Sequence, residues 1–141
     1  MSAPLGNRFQ DRVVLVTGSS RGIGSSIATT LAAQGARVVV HCHQQIEMAQ
    51  QVAQRCRELG GDGWALAADL TDPLHIKTLL DQIQRELGVI DVVVHNAFAS
   101  YRFDPDQRQR FWELSWDEVQ RQLDGSVKAC FELSQAALPL M

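Results

Sequence analysis

Long apolar runs, basic patches and a cysteine framework are all missing from this sequence, and each absence closes a class of function. No stretch of about 18 consecutive apolar residues occurs, so no bilayer-crossing helix is expected. Residues 1–10 combine neither a basic start nor an apolar core, which argues against a secretion signal and leaves the cytoplasm as the default location. Lysine and arginine total 13 against 16 acidic residues, a net charge of −3. A nucleic-acid surface needs a basic patch to neutralise phosphates, and none is visible, so small molecules are the expected partners. Cys42, Cys56 and Cys130 are odd in number and widely separated, which suits reduced thiols better than disulfides. No low-complexity tract or internal repeat is found. What is present is 45% hydrophobic residues in 141, enough for the core of one domain spanning residues 1–141.

Apolar runs alternate with helical spacings along the chain. After a polar lead-in, a strand is predicted over residues 12–17, then a helix with Ile23, Ile27, Ala28 and Leu31 on one face that stops near Gly35. Val38-Val39-Val40 predicts a second strand, and a continuous β-branched run suggests cover on both faces, as in parallel sheets. Ile46, Ala49, Ala53, Cys56 and Leu59 trace a second helix, closed by Gly60-Gly61, and residues 64–68 a third strand. Asp72-Pro73 supplies a cap and a first-turn proline for a third helix with Ile76, Leu79, Leu80, Ile83 and Leu87 on its stripe, and a fourth strand comes after it at residues 90–94. Residues 99–111 read as a loop. Ser115 and Glu118 form a capping box that opens a last helix, with apolar positions Val119, Leu123, Val127, Cys130, Phe131 and Leu138. Strands alternating with helices predict a doubly wound α/β sheet with right-handed crossovers.

The stretch Thr17-Gly18-Ser19-Ser20-Arg21-Gly22-Ile23-Gly24 joins the first strand to the first helix. A helix N-terminus presents free backbone N–H groups and the positive end of the helix dipole, and residues without Cβ let a pyrophosphate approach closely. This glycine spacing, with Thr17 in front and Arg21 and Ile23 interleaved, resembles the short-chain dehydrogenase/reductase family. The resemblance implies a Rossmann-type parallel sheet of order 3-2-1-4, truncated after about four strands, with the nicotinamide dinucleotide held by Gly18, Ser20, Arg21, Gly22, Ile23 and Gly24.

Ligands of such sheets lie beyond the carboxyl ends of the strands. After strand two stand His41-Cys42-His43, with no carboxylate at 41–45 to hold a ribose 2′-OH, and Arg21 occupies a place where family members favouring NADP often carry a basic residue. NADP is therefore preferred over NAD, with His43 as a cofactor-side donor. His41 and His43 could meet one metal ion, but no further ligand cluster is evident, and no metal is assigned. After strand three, Asp69 resembles the family's adenine-binding aspartate, with Leu70 lending backbone contact; the alternative is that Asp69 only caps the next helix. After strand four, His95-Asn96-Ala97-Phe98 compares with the family's Asn-Asn-Ala-Gly: Asn96 and Ala97 match and imply support of the cofactor ribose, while His95 and Phe98 depart from the pattern and resemble related enoyl reductases. In the last helix Ser126 takes the place of the family's active-site asparagine, or is an ordinary small helix residue.

Family members reduce carbonyls with a tyrosine whose pKa is lowered by a lysine four residues on. Here the one tyrosine, Tyr101, has Pro105 at that distance, and the only lysines are Lys77 and Lys128. No catalytic residue is assigned. The chain is expected to be the N-terminal, cofactor-binding portion of a reductase most like the 3-oxoacyl-acyl-carrier-protein reductases, inactive by itself. A non-catalytic nucleotide-binding protein of the same fold and an enoyl-reductase-like parent are the alternatives. The substrate implied for the parent is a small-molecule or carrier-bound carbonyl, and Arg102, Arg108 and Arg110 either face an anionic carrier or form a solvated loop. A homo-oligomer is compatible with the family's use of the last helix at subunit interfaces.

Overall fold

The computed structural model describes residues 7–99 and 104–141. Residues 1–6 of the lead-in, Tyr101 and Arg102 lie outside the described residues. Four parallel strands form one sheet in the order β3-β2-β1-β4: β1 is Val13–Val16, β2 Arg37–Cys42, β3 Asp62–Ala67 and β4 Val92–Val94. β1 is central to the arrangement, pairing Val14, Leu15 and Val16 with Val38, Val39 and Val40 on one side and with Val92, Val93 and Val94 on the other.

Alternation along the strands divides the core in two. Val14 and Val16 of β1 and Val38 and Val40 of β2 pack beneath α1 (Gly22–Ala32) and α2 (Ile46–Glu58), meeting the small residues Ala28, Ala32, Ala49 and Ala53. Val13, Leu15 and Val39 face the other way, onto Ile76, Leu79, Leu80 and Ile83 of α3 (Pro73–Leu87) and onto Ala129 and Leu133 of α5 (Ala129–Ala137). Valines buried on both faces are what a parallel sheet with helices above and below requires. At the amino-terminal edge Asp91 ties two strands together: its carboxylate accepts from the Val13 N–H at 2.8 Å and from the Arg12 guanidinium at 2.7 Å. Those two bonds hold its carboxyl below the ordinary carboxylate range.

Helix boundaries obey local chemistry. The Asp72 carboxylate accepts from the Leu74 N–H at 2.8 Å with Pro73 in the first turn, and Gly88 ends α3 at φ +83°. Ser115 and Glu118 form the expected reciprocal box at the start of α4 (Trp116–Leu123).

Three features differ from the sequence expectation. β2 and β3 start earlier and β4 is shorter, with Ile90 buried in the core just before it. The loop after β4 holds short 3₁₀ turns at Pro105–Gln107 and Phe111–Glu113. The last helix is not continuous: a π turn at Asp124–Lys128 separates α4 from α5. A π turn uses more residues than an α turn and so rotates the apolar phase of the helix beyond it. The buried positions of α5 become Ala129, Leu133 and Ala137, while Val127, Phe131 and Leu138 stand exposed.

Candidate functional site

The carboxyl ends of β1, β2, β3 and β4 converge on the glycine turn, and its glycines divide into two kinds. A Cβ on Gly24 would sit 2.5 Å from the Gly18 carbonyl oxygen and 2.5 Å from Asn96 Nδ2, and one on Gly18 would sit 2.9 Å from Ala97 Cα. Those two positions close the protein's own packing. Gly22 shares the left-handed backbone of Gly18, at φ +57° against +63°, but is the opposite case in its surroundings: nothing lies within 4 Å of where its Cβ would be. It opens α1 on the free side of the turn, where backbone N–H groups remain available to an anion.

Buried hydrogen bonds hold this turn against the neighbouring strand ends. Thr17 Oγ1 accepts from the N–H groups of Asn96 and Ala97, both at 3.0 Å, and donates to the Val94 carbonyl at 3.3 Å. The Asn96 side-chain amide donates to the carbonyls of Thr17 and Gly18, each at 3.0 Å. Ser19 Oγ donates to the Val16 carbonyl at 2.7 Å and accepts from the His41 N–H at 3.1 Å. Thr17 and Ser19 are almost fully buried, so each bond replaces water that could not reach.

His41 is also buried, at 2% exposure. Its Nδ1 accepts from the Gly18 N–H at 3.0 Å, and since a backbone N–H can only donate, the ring proton resides on Nε2, which donates to the Ala68 carbonyl at 3.0 Å. Burial pushes the His41 pKa below its ordinary value, with the bond to Ala68 opposing. Both ring nitrogens are thereby engaged, which removes His41 as a shared metal ligand with His43. Among the described residues no group of three or more His, Cys, Asp or Glu is placed to hold a metal ion.

At the outer edge His43 and Asp69 come together. His43 Nε2 lies 3.6 Å from Asp69 Oδ2, while Asp69 Oδ1 accepts from the Thr71 N–H at 2.9 Å and the Thr71 hydroxyl at 2.6 Å. The Thr71 bonds are the main cause holding the Asp69 carboxyl below its usual range. The cap of α3 is Asp72, so Asp69 is left with a turn of its own through Oδ1 and with Oδ2 beside His43. A cavity of about 320 Å³ is lined by His43, Ala67, Ala68, Asp69, His75 and Thr78. Leu70 is buried in the core, which leaves its backbone as what it can offer.

Other predicted site residues are placed differently. Arg21 is the exposed residue before α1 and makes no side-chain cap. Ile23 is 77% exposed and does not join the apolar face of α1 predicted for it, because the buried stripe there runs through Gly24, Ala28 and Ala32. Ser20 is half-buried within the turn. His95 Nε2 meets Ser134 Oγ of α5 at 2.9 Å, so it braces a helix and not the turn. Phe98 is exposed. Ser126 sits on the π turn, with its hydroxyl donating to the Gln122 carbonyl of its own helix. Sequence reasoning missed His41 as a brace; the available signal was a histidine continuing a run of three valines, an ionisable group where a buried strand is expected.

A model of the short chain dehydrogenase family matches residues 12–141. The 3-oxoacyl-[acyl-carrier-protein] reductase of Escherichia coli (strain K12) is 33% identical over 133 residues, covering 94% of this chain and 50% of that protein. Among solved structures, a short chain dehydrogenase from Burkholderia cenocepacia J2315 in complex with NADP is 34% identical with a TM-score of 0.80, covering 95% of this chain and 52% of that one. A 7α-hydroxysteroid dehydrogenase complexed with NADH and 7-oxo glycochenodeoxycholic acid is 29% identical with a TM-score of 0.82, covering 100% of this chain and 52% of that one. The chain spans about half the length of the relatives it matches.

Proposed function

We propose, from the premise that this chain belongs to the short chain dehydrogenase family, that it is the dinucleotide-holding part of an NAD(P)H-dependent oxidoreductase acting on a carbonyl. The observation that carries this reading is the open, left-handed Gly22 set in a turn whose other glycines are locked against Asn96 and Ala97. A Cβ-free backbone at a helix N-terminus, fixed from behind and free in front, suits a pyrophosphate. Gly18, Ser20, Arg21, Gly22, Ile23 and Gly24 form that cradle in this proposal. Asp69 and the Leu70 backbone receive the adenine end at the 320 Å³ cavity, and Asn96 and Ala97 support the ribose. The nicotinamide group, when bound, supplies the hydride.

NADP is the preferred dinucleotide in this reading. Exposed Arg21 and His43 offer donors to a 2′-phosphate, and residues 41–45 contain no carboxylate to repel it. The likeness to a 3-oxoacyl-[acyl-carrier-protein] reductase supports a β-ketoacyl thioester as the whole protein's substrate. The chain itself binds and does not reduce, because its single tyrosine has Pro105 where a lysine would be needed to lower the phenol's pKa.

Fluorescence titration of the purified chain with NADPH and NADH tests this. Saturable binding, tighter for NADPH, is expected, and Gly22→Val should weaken it at least about tenfold by placing a side chain in the phosphate path. Absence of saturable binding would overturn the cofactor site. NADPH oxidation by this chain with a β-ketoacyl thioester would overturn its inactivity.

A further inference from the structure

The geometry points to His41 as the positioning residue of the phosphate turn, a brace that works only while its ring is neutral, so that protonation of His41 releases Gly18 and weakens dinucleotide binding. This rests on the dinucleotide reading above. His41 spans the site in two ways. Through its backbone, it exchanges bonds with Ser19: its N–H donates to Ser19 Oγ at 3.1 Å, and its carbonyl accepts from the Ser19 N–H at 2.9 Å. Through its ring it reaches further, from the Gly18 N–H on one side to the Ala68 carbonyl on the other. Ala68 immediately precedes Asp69. One imidazole thus connects the turn assigned to the pyrophosphate with the loop assigned to the adenine. It needs an acceptor at one end and a donor at the other, which is what the neutral Nε2–H tautomer provides.

Charging the ring adds a proton to Nδ1 and turns the Gly18 contact into two donors facing each other. One of them must move, and the ring, packed at 2% exposure between strand ends, has little room. The surroundings do not offset that loss. His43, two residues on along the chain, disfavours the charged form of the His41 ring. Arg21 and the positive end of α1 lie on the turn side. From β3 onward the nearest carboxylate in sequence is Asp69, which is engaged by Thr71 and faces His43; Asp72 is occupied in capping α3, with His75 beside it at 4.0 Å. Cys42, next along β2, belongs to the core beneath α1 and α2, and burial holds its thiol above the ordinary value.

Two measurements on the full chain decide the matter. Imidazole ¹⁵N spectra should show His41 protonated on Nε2 alone near neutral pH, and the Gly18 amide should lose exchange protection in step with the His41 titration. Dinucleotide titrations from about pH 7.5 down to about pH 4.5, a window set by the lowered His41 pKa, should weaken for the unaltered protein by about threefold or more beyond any weakening of His41→Asn, whose side-chain oxygen can accept from Gly18 but cannot be charged. The dinucleotide and every residue except 41 are the same in both proteins, so the difference belongs to His41. His41→Leu should bind weakly at every pH, and His41→Asn should restore most of the affinity at the upper end. A merely structural role would lower the melting temperature of both variants and leave the pH profile of binding unchanged. The inference is overturned if His41→Asn keeps the pH dependence of the unaltered protein or if the ring proton resides on Nδ1. Should the unaltered protein bind no dinucleotide at any pH, the cofactor reading fails, and the tautomer with the Gly18 exchange still decides whether the brace exists.

Discussion

The strand ends around the glycine turn and the helical segment from Phe111 onward are built on opposite terms. Around the turn, Val13, Val14, Leu15 and Val16 are fully buried, and the buried polar residues Thr17, Ser19 and His41 are hydrogen-bonded within the site, Thr17 and His41 to partners far along the chain. In the helical segment Phe111 is 86% exposed, Trp112 74% and Phe131 60%, and α4 buries no residue at all. Arg110 stacks over Trp112 at 5.4 Å, a contact at the surface. Substitutions around the turn should therefore be felt through fixed geometry, and those on the outer helical face should hardly be felt.

The largest effect is expected at Gly24. A valine there must place Cβ 2.5 Å from the Gly18 carbonyl oxygen and 2.8 Å from Ser19 Cα, both backbone atoms that cannot swing aside. Gly24→Val should lower stability by about 3 kcal/mol or more, read as a fall in the urea midpoint. A midpoint near that of the unaltered protein would mean that the turn is looser than its contacts indicate, and the contrast between the two regions would shrink with it.

Thr17→Val comes next. The substitution keeps the shape and removes the oxygen that accepts from Asn96 and Ala97, leaving two backbone N–H groups without their partner beside a nearly fully buried side chain. A loss of about 2 kcal/mol is expected, with Thr17→Ser close to the unaltered protein because it retains the hydroxyl. A Thr17→Val loss below about 0.5 kcal/mol would show that these hydrogen bonds contribute little to holding the turn.

The same contrast explains which features are legible in the sequence alone. Valine runs announce β1, β2 and β4, and Asp72-Pro73 and the Ser115–Glu118 pair announce helix starts, because those signals act through neighbours in sequence and survive whatever the tertiary surroundings do. The glycine spacing indicates an anion-binding turn, and Gly18, Gly24, Asn96 and Ala97 meet there. Contacts between residues remote in sequence leave no such mark. Nothing near His41 tells that Gly18 and Ala68 flank its ring. The π turn at 124–128 is invisible for a related reason: Val119, Leu123 and Val127 recur every four residues as in an unbroken helix, and only packing against the sheet reveals that Ala129, Leu133 and Ala137 form the buried face.

Phe131→Gln should have the smallest effect, and it sharpens the comparison most. Residue 131 lies on α5 between the buried Ala129 and Leu133, yet its ring is 60% exposed, so a polar side chain of similar reach gives up little apolar contact within the chain. The expected change is within about 0.5 kcal/mol, measured against the same urea midpoint used for Gly24→Val. Leu133→Ala, on the same helix but fully buried, should cost about 2 kcal/mol or more in the same assay. If Phe131→Gln instead costs as much as Leu133→Ala, the outer face of α5 is covered in solution by a partner surface, and exposure there is a property of the separated molecule and not of its working form.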